Sequence, residues 1–152
     1  MATQLEWTGY NTPDTAVAGA SLNSLGGSGS YALGAAIDNT TGLFTDADLL
    51  ITLSSNVTTS SGNPNIAVWI LPSLDGTNYP ETGGGASAGV APINLLAGTI
   101  LLPAATGVQH MVLRGIILPP SLFKVQIQNN LGVALPSSGN SCSLYRYRLQ
   151  GV

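Results

Sequence analysis

The stretch "LFKVQIQNN", residues 122–130, decides how the chain reads. Phe123, Val125 and Ile127 fall on one side of an extended backbone, and Lys124, Gln126 and Gln128 fall on the other. This is the period of a half-buried strand. The first set is expected in a core and the second towards solvent or a partner, because a one-residue slip would exchange the two faces.

Working outward, the same period recurs. In "HMVLRGIIL" (110–118), Met111, Leu113, Gly115 and Ile117 alternate with His110, Val112, Arg114 and Ile116. "DLLITLSS" (48–55), "YALGAAI" (31–37) and "SCSLYRYRLQ" (141–150) read as further strands. "NIAVWIL" (65–71) is apolar on both faces, as expected for a strand covered on both sides. "NNLG" (129–132) reads as a hairpin-like connection to "VALP" (133–136). The nearest approach to a helix, "PDTAVAGASLNSLGG" (13–27), is limited by Gly19 and the Gly26–Gly27 pair.

With 19 Gly and 9 Pro among 152 residues, the chain is punctuated into six to eight short strands. The expectation is an all-β sandwich with a jelly-roll-like or related Greek-key order. Residues 30–152 form one domain. Residues 1–29 are either an arm that orders on a neighbouring subunit or the first edge segment of the chain's own sandwich. A second irregular stretch is "DGTNYPETGGGASAGVAPINLLAG", residues 75–98.

Charged residues make up 7% of the chain, against about 25% in ordinary globular domains. Hydrophobic residues make up 44%, enough for a core. Four basic residues and a net charge of −3 argue against nucleic-acid binding and against a polybasic membrane anchor. The N-terminus has no basic and apolar signal pattern, and no stretch approaches a membrane helix, so synthesis in the cytoplasm is expected. A surface with so few charges has little self-repulsion, which suits a protein that packs against neighbours.

Candidate chemistry is sparse. Cys142 is the single cysteine and is expected to be a small core or surface thiol. His110, the single histidine, is expected as a core or surface residue. Asp46 and Asp48 share a strand face, but Ca²⁺ needs six to eight oxygens, so a solvated strand entrance is expected. No catalytic residue, metal site or cofactor is assigned, and the chain is expected to be no enzyme. Trp69 and Tyr79 flank the turn "LPSLDGTNYP" (71–80). They fit either a core Trp with a rim Tyr or a small sugar-binding platform.

The run "DADLLITLSSNVTTSSGNPNIAVWILPSLDGTNYPE" (46–81) resembles a pattern of small structural proteins of tailed bacteriophages. An Asp-initiated strand leads through a Ser/Thr/Gly loop to a strand that ends in Leu-Pro, a small Asp-Gly step and Tyr-Pro. The resemblance covers about a quarter of the chain; "LPP" and "FKVQIQNNLGVAL" fit it more loosely. It implies a β-sandwich virion protein of the cement or decoration type, on the capsid exterior, with the major capsid protein as partner. A homo-oligomer, dimer or trimer, is the expected form. Leu5, Trp7, Tyr10, Asp75, Asn78 and Tyr79 are the expected partner contacts. The alternatives are a carbohydrate-binding adhesion module and another head–tail accessory protein.

Overall fold

The computed structural model describes residues 4–27, 29–59, 62–80, 93–102 and 106–151. Residues 81–92, half of the expected long loop, lie outside the described residues. The chain runs β1 (Leu5–Trp7), β2 (Asp14–Val17), α1 (Gly19–Leu22), β3 (Ser30–Leu33), β4 (Asp46–Leu53) and β5 (Asn65–Pro72). A short 3-10 turn (Ile93–Leu95) precedes β6 (Leu96–Leu101). Then follow β7 (Gln109–Ile117), β8 (Phe123–Asn129), β9 (Ser141–Tyr147) and β10 (Leu149–Gly151). The only helical piece among the described residues longer than that turn is α1, a single turn ended at Asn23.

Two antiparallel four-stranded sheets carry the fold, in the orders β2-β9-β4-β7 and β3-β8-β5-β6. From β2 to β9 every connection crosses to the other sheet, except β5 to β6, which are neighbours in one sheet. The alternation seen in the sequence explains the sandwich. Leu49, Ile51, Leu53, Met111, Cys142 and Leu144 point inward from the first sheet. Ile66, Val68, Ile70, Phe123, Val125 and Ile127 meet them from the second in one core. Burying each such side chain is worth about 1.5–3 kcal/mol, so this face-to-face layer is the main source of stability.

The β5 strand is covered on both faces. Ala67, Trp69 and Leu71 form an outer apolar cluster with Tyr31, and the Trp69 and Tyr31 rings lie 6.0 Å apart. That cluster corrects one expectation. Gln126 is 1% exposed, although Lys124 and Gln128 on the same face stay partly exposed. Gln126 sits between Trp69 of β5 and Leu33 of β3, and these larger neighbours cover it.

Two further expectations are corrected. "VALP" is no strand: β8 and β9 belong to different sheets, so the segment between them crosses the sandwich. Leu131 and Leu135 from this crossing plug the core. In β7 the alternation also breaks, because Ile116 is buried while Ile117 is 81% exposed. Leu113 pairs with Leu49 and Ile116 with Ala47, so Arg114 and Gly115 together oppose Asp48. That is a bulge, and Gly115 sits in it at φ 67°, a conformation cheap only for glycine.

The described part of residues 1–29 lies along the chain's own C-terminal strands. β1 pairs with β10, and β2 is an edge strand paired with β9. The stretch between them continues the contact: Thr8 and Asn11 donate their N–H groups to the carbonyls of Arg148 and Arg146. The division at 29/30 therefore falls inside the sandwich.

Amides fix several of the crossings, which is how the chain manages with few charges. Buried Asn129 donates to the carbonyls of Leu25 and Val133 and accepts from the Leu131 N–H. Asn39 does the same for Phe44 and Pro119, and Asn140 ties Asn23, Ser54 and Pro136 together. Each amide satisfies groups that would otherwise be buried without partners.

Candidate functional site

The richest arrangement of aromatic and charged side chains lies on the outer face of the β2-β9-β4-β7 sheet. Strand period puts Asp48 of β4 on this face, directly opposite Tyr145 of β9. Tyr147 is on the same face two residues along β9. The β7 bulge brings Arg114 and the Gly115 N–H to the other side of Asp48. The segment after β1 lays Tyr10 across the top. Tyr10 donates its hydroxyl to Asp48 Oδ2 at 2.6 Å, and the Gly115 N–H donates to Oδ1 at 3.0 Å. Arg114 Nε reaches Oδ2 at 3.4 Å, and the Tyr147 hydroxyl lies 3.5 Å from Oδ1.

Asp48 is thus 8% exposed and surrounded by donors, which corrects the expectation of a solvated strand entrance. A carboxylate under a tyrosine needs such donors to stay charged. Burial alone would raise its pKa; the hydrogen bonds from Tyr10, Gly115 and Arg114 outweigh this and hold it below the ordinary 3.8. The same contact raises the Tyr10 hydroxyl. Burial, then the charges of Asp48 and Asp46, raises Tyr147.

The sign of the pH effect follows. A depressed carboxyl stabilises the fold at pH above about 3.8, and that contribution disappears as pH falls through the lower folded value. Asp48→Asn keeps the shape and removes the charge. It is expected to cost about 1–2 kcal/mol at pH 7, the worth of charge-assisted over neutral hydrogen bonds. Urea unfolding at pH 7 and pH 2.5 checks this: the gap between wild type and variant should shrink in acid, and a gap that persists or grows would refute the assignment.

The rings form an edge-to-face chain. Trp7 meets Tyr147 at 5.4 Å, Tyr147 meets Tyr10 at 5.4 Å, and Tyr10 meets Tyr145 at 5.8 Å. Trp7 is 61% exposed and Tyr10 54%. Leu5, also exposed, sits on the β1–β10 ribbon beside Trp7. The structure therefore gathers Trp7 and Tyr10 with Asp48, Arg114, Tyr145 and Tyr147. It does not bring Asp75, Asn78 and Tyr79 to them, because those follow β5 in the other sheet.

Asp75 is occupied by its own turn. Oδ1 accepts from the N–H groups of Thr77 and Asn78 and from the Ser73 hydroxyl, and Oδ2 accepts from the Asn78 amide. These bonds, led by the Asn78 N–H, depress its pKa strongly. The knot leaves Leu74 almost fully exposed at the tip. Tyr79 is capped by Lys124, whose Nζ is 4.4 Å from the ring centre. Trp69 is buried, so the sugar-binding platform at 69–79 does not exist; the exposed rings lie at Trp7 and Tyr10 instead.

Cys142 is a core thiol, pushed up to about 12 by burial. His110 is exposed and shares a hydrogen bond of 3.1 Å with Thr52 Oγ1. Among the described residues there is no group of three His, Cys, Asp or Glu placed to hold a metal ion. Compared with known protein families the chain matches none, and no curated protein matches it in sequence.

Proposed function

We propose that the protein is a non-enzymatic decoration protein of a tailed-phage capsid, in a jelly-roll fold. The observation that carries this reading is the β1–β10 ribbon. It joins both ends of the chain into one exposed apolar element carrying Leu5, Trp7 and Leu149 on a sandwich with almost no charge. The strand order supports the fold part, since eight strands crossing between two sheets in this way describe two Greek keys, an architecture used by viral capsid and lectin domains alike. Fold alone does not carry function, and the resemblance of residues 46–81 supplies the choice between those uses.

In this reading the ribbon meets the outer surface of the major capsid protein, with Trp7 as the low-entropy aromatic anchor. The Asp75 knot holds Leu74 out as a second, smaller contact. A homo-oligomer, dimer or trimer, bridges neighbouring capsid subunits on the exterior of the virion. Binding only the assembled shell stabilises that shell by mass action, and repetition over a lattice adds avidity.

The test is cosedimentation with capsids of the phage that encodes the chain. Trp7→Ala is expected to fold normally, since its ring is mostly exposed, and to bind at least about 10-fold more weakly, as truncation of a hot-spot residue does. Unchanged binding by a Leu5→Ser/Trp7→Ala double variant would remove the ribbon from the contact.

A further inference from the structure

We propose that the recess between Tyr10, Tyr145 and Arg114 is a binding site for a carboxylated saccharide, of the uronic or sialic acid type. The recess is open to solvent and offers about 430 Å³, room for one or two sugar rings. Leu50 and Val112 form its apolar floor, and Tyr10 and Tyr145 stand edge-to-face at its wall. Sugars offer C–H faces that suit such surfaces.

The polar groups select for a carboxylate. Asp48 at the back is 8% exposed and already accepts from Tyr10, Gly115, Arg114 and Tyr147, so it has little left to offer the hydroxyls of a neutral sugar. Arg114 is the opposite case: its side chain is 79% exposed, its Nε lies 3.4 Å from Asp48 Oδ2, and it also interacts with the Tyr10 hydroxyl. With Nε turned to Asp48, the outer end of the exposed guanidinium offers planar donors to a carboxylate. The chain has only four basic residues, so an exposed guanidinium across Asp48 from Tyr145, on the same recess as Tyr10, is a selective feature.

A peptide suits the site less well. The recess is lined by side chains on the outer face of the sheet, and the N–H of the neighbouring Gly115 already serves Asp48. The site is independent of the decoration reading, because it uses the sheet face and leaves Leu5 on the ribbon free.

Calorimetry of the intact protein with tetragalacturonic acid and with 3′-sialyllactose tests the proposal. Saturable binding of at least one is expected, weakened 10-fold or more by Arg114→Gln and by Tyr145→Ala. His110→Ala, on the same face outside the recess, should leave it unchanged. Methyl-esterified tetragalacturonate and maltotetraose should bind at least 10-fold more weakly. The proposal is overturned by no saturable binding to either acid, by equal binding of the neutral sugars, or by binding that survives Arg114→Gln in a protein with native circular dichroism. Equal affinity for an acetylated tetrapeptide bearing a free C-terminal carboxylate would show a carboxylate site without saccharide selectivity and also overturns it.

Discussion

Gly34→Ala is expected to destabilise the protein by about 3 kcal/mol or more, the upper end of what overpacking costs. Gly34 follows β3 at the corner where the chain leaves one sheet and passes the other. Its N–H donates to the Val125 carbonyl at 2.8 Å, which pins it against β8. A Cβ there would run into the Ala16 carbonyl oxygen of β2 and would press the Val125 oxygen at 3.3 Å. Both obstacles are backbone of paired strands, so no side chain can rotate out of the way. The two sheets would have to separate at this edge. Urea unfolding should show a large drop in midpoint with the slope preserved; a midpoint within error of wild type would mean that the sheets do not approach as described.

The second large effect is expected at Arg146. Alternation places it on the inner side of β9, after Cys142 and Leu144, and it is 9% exposed. It forms a two-pronged pair with Asp14 of β2 at 2.7 and 3.2 Å, donates to the Asp38 carbonyl at 2.7 Å, and lies 4.8 Å above the Phe44 ring. One side chain therefore ties β2, β9 and the loop before β4. Removing one partner of a buried pair costs about 3–5 kcal/mol. Asp14 keeps some contact with water, its side chain being 27% exposed, so about 2–3 kcal/mol is expected for Arg146→Ala. Pairing Arg146→Met with Asp14→Ala should recover part of that loss, because no lone charge remains. A cost below about 0.5 kcal/mol for Arg146→Ala would place the attachment of β2 elsewhere.

These residues also show what the sequence makes legible. The inward sets Phe123/Val125/Ile127 and Leu49/Ile51/Leu53 follow from period alone, as do the two apolar faces of β5, and with them the sandwich. Gln126 does not, because its cover comes from Trp69 and Leu33 on strands remote in sequence. The site was hidden for the same reason. Tyr10, Asp48, Arg114 and Tyr145 are joined only by strand pairing over long separations. One local signal was present: Gly115 inside an otherwise regular strand marks a bulge, and the bulge is what turns Arg114 and an N–H towards Asp48. Arg146 at an inward position was a second, since a charge on a core-facing side requires a partner.

The proposed decoration role is decided by electron cryo-microscopy of phage particles assembled with and without this chain. A two-sheet sandwich is expected at regular positions on the outside of the capsid shell, with the β1–β10 ribbon and Trp7 against the major capsid protein. Particles whose outer shell carries no such density, or density for this sandwich confined to the tail, would contradict it.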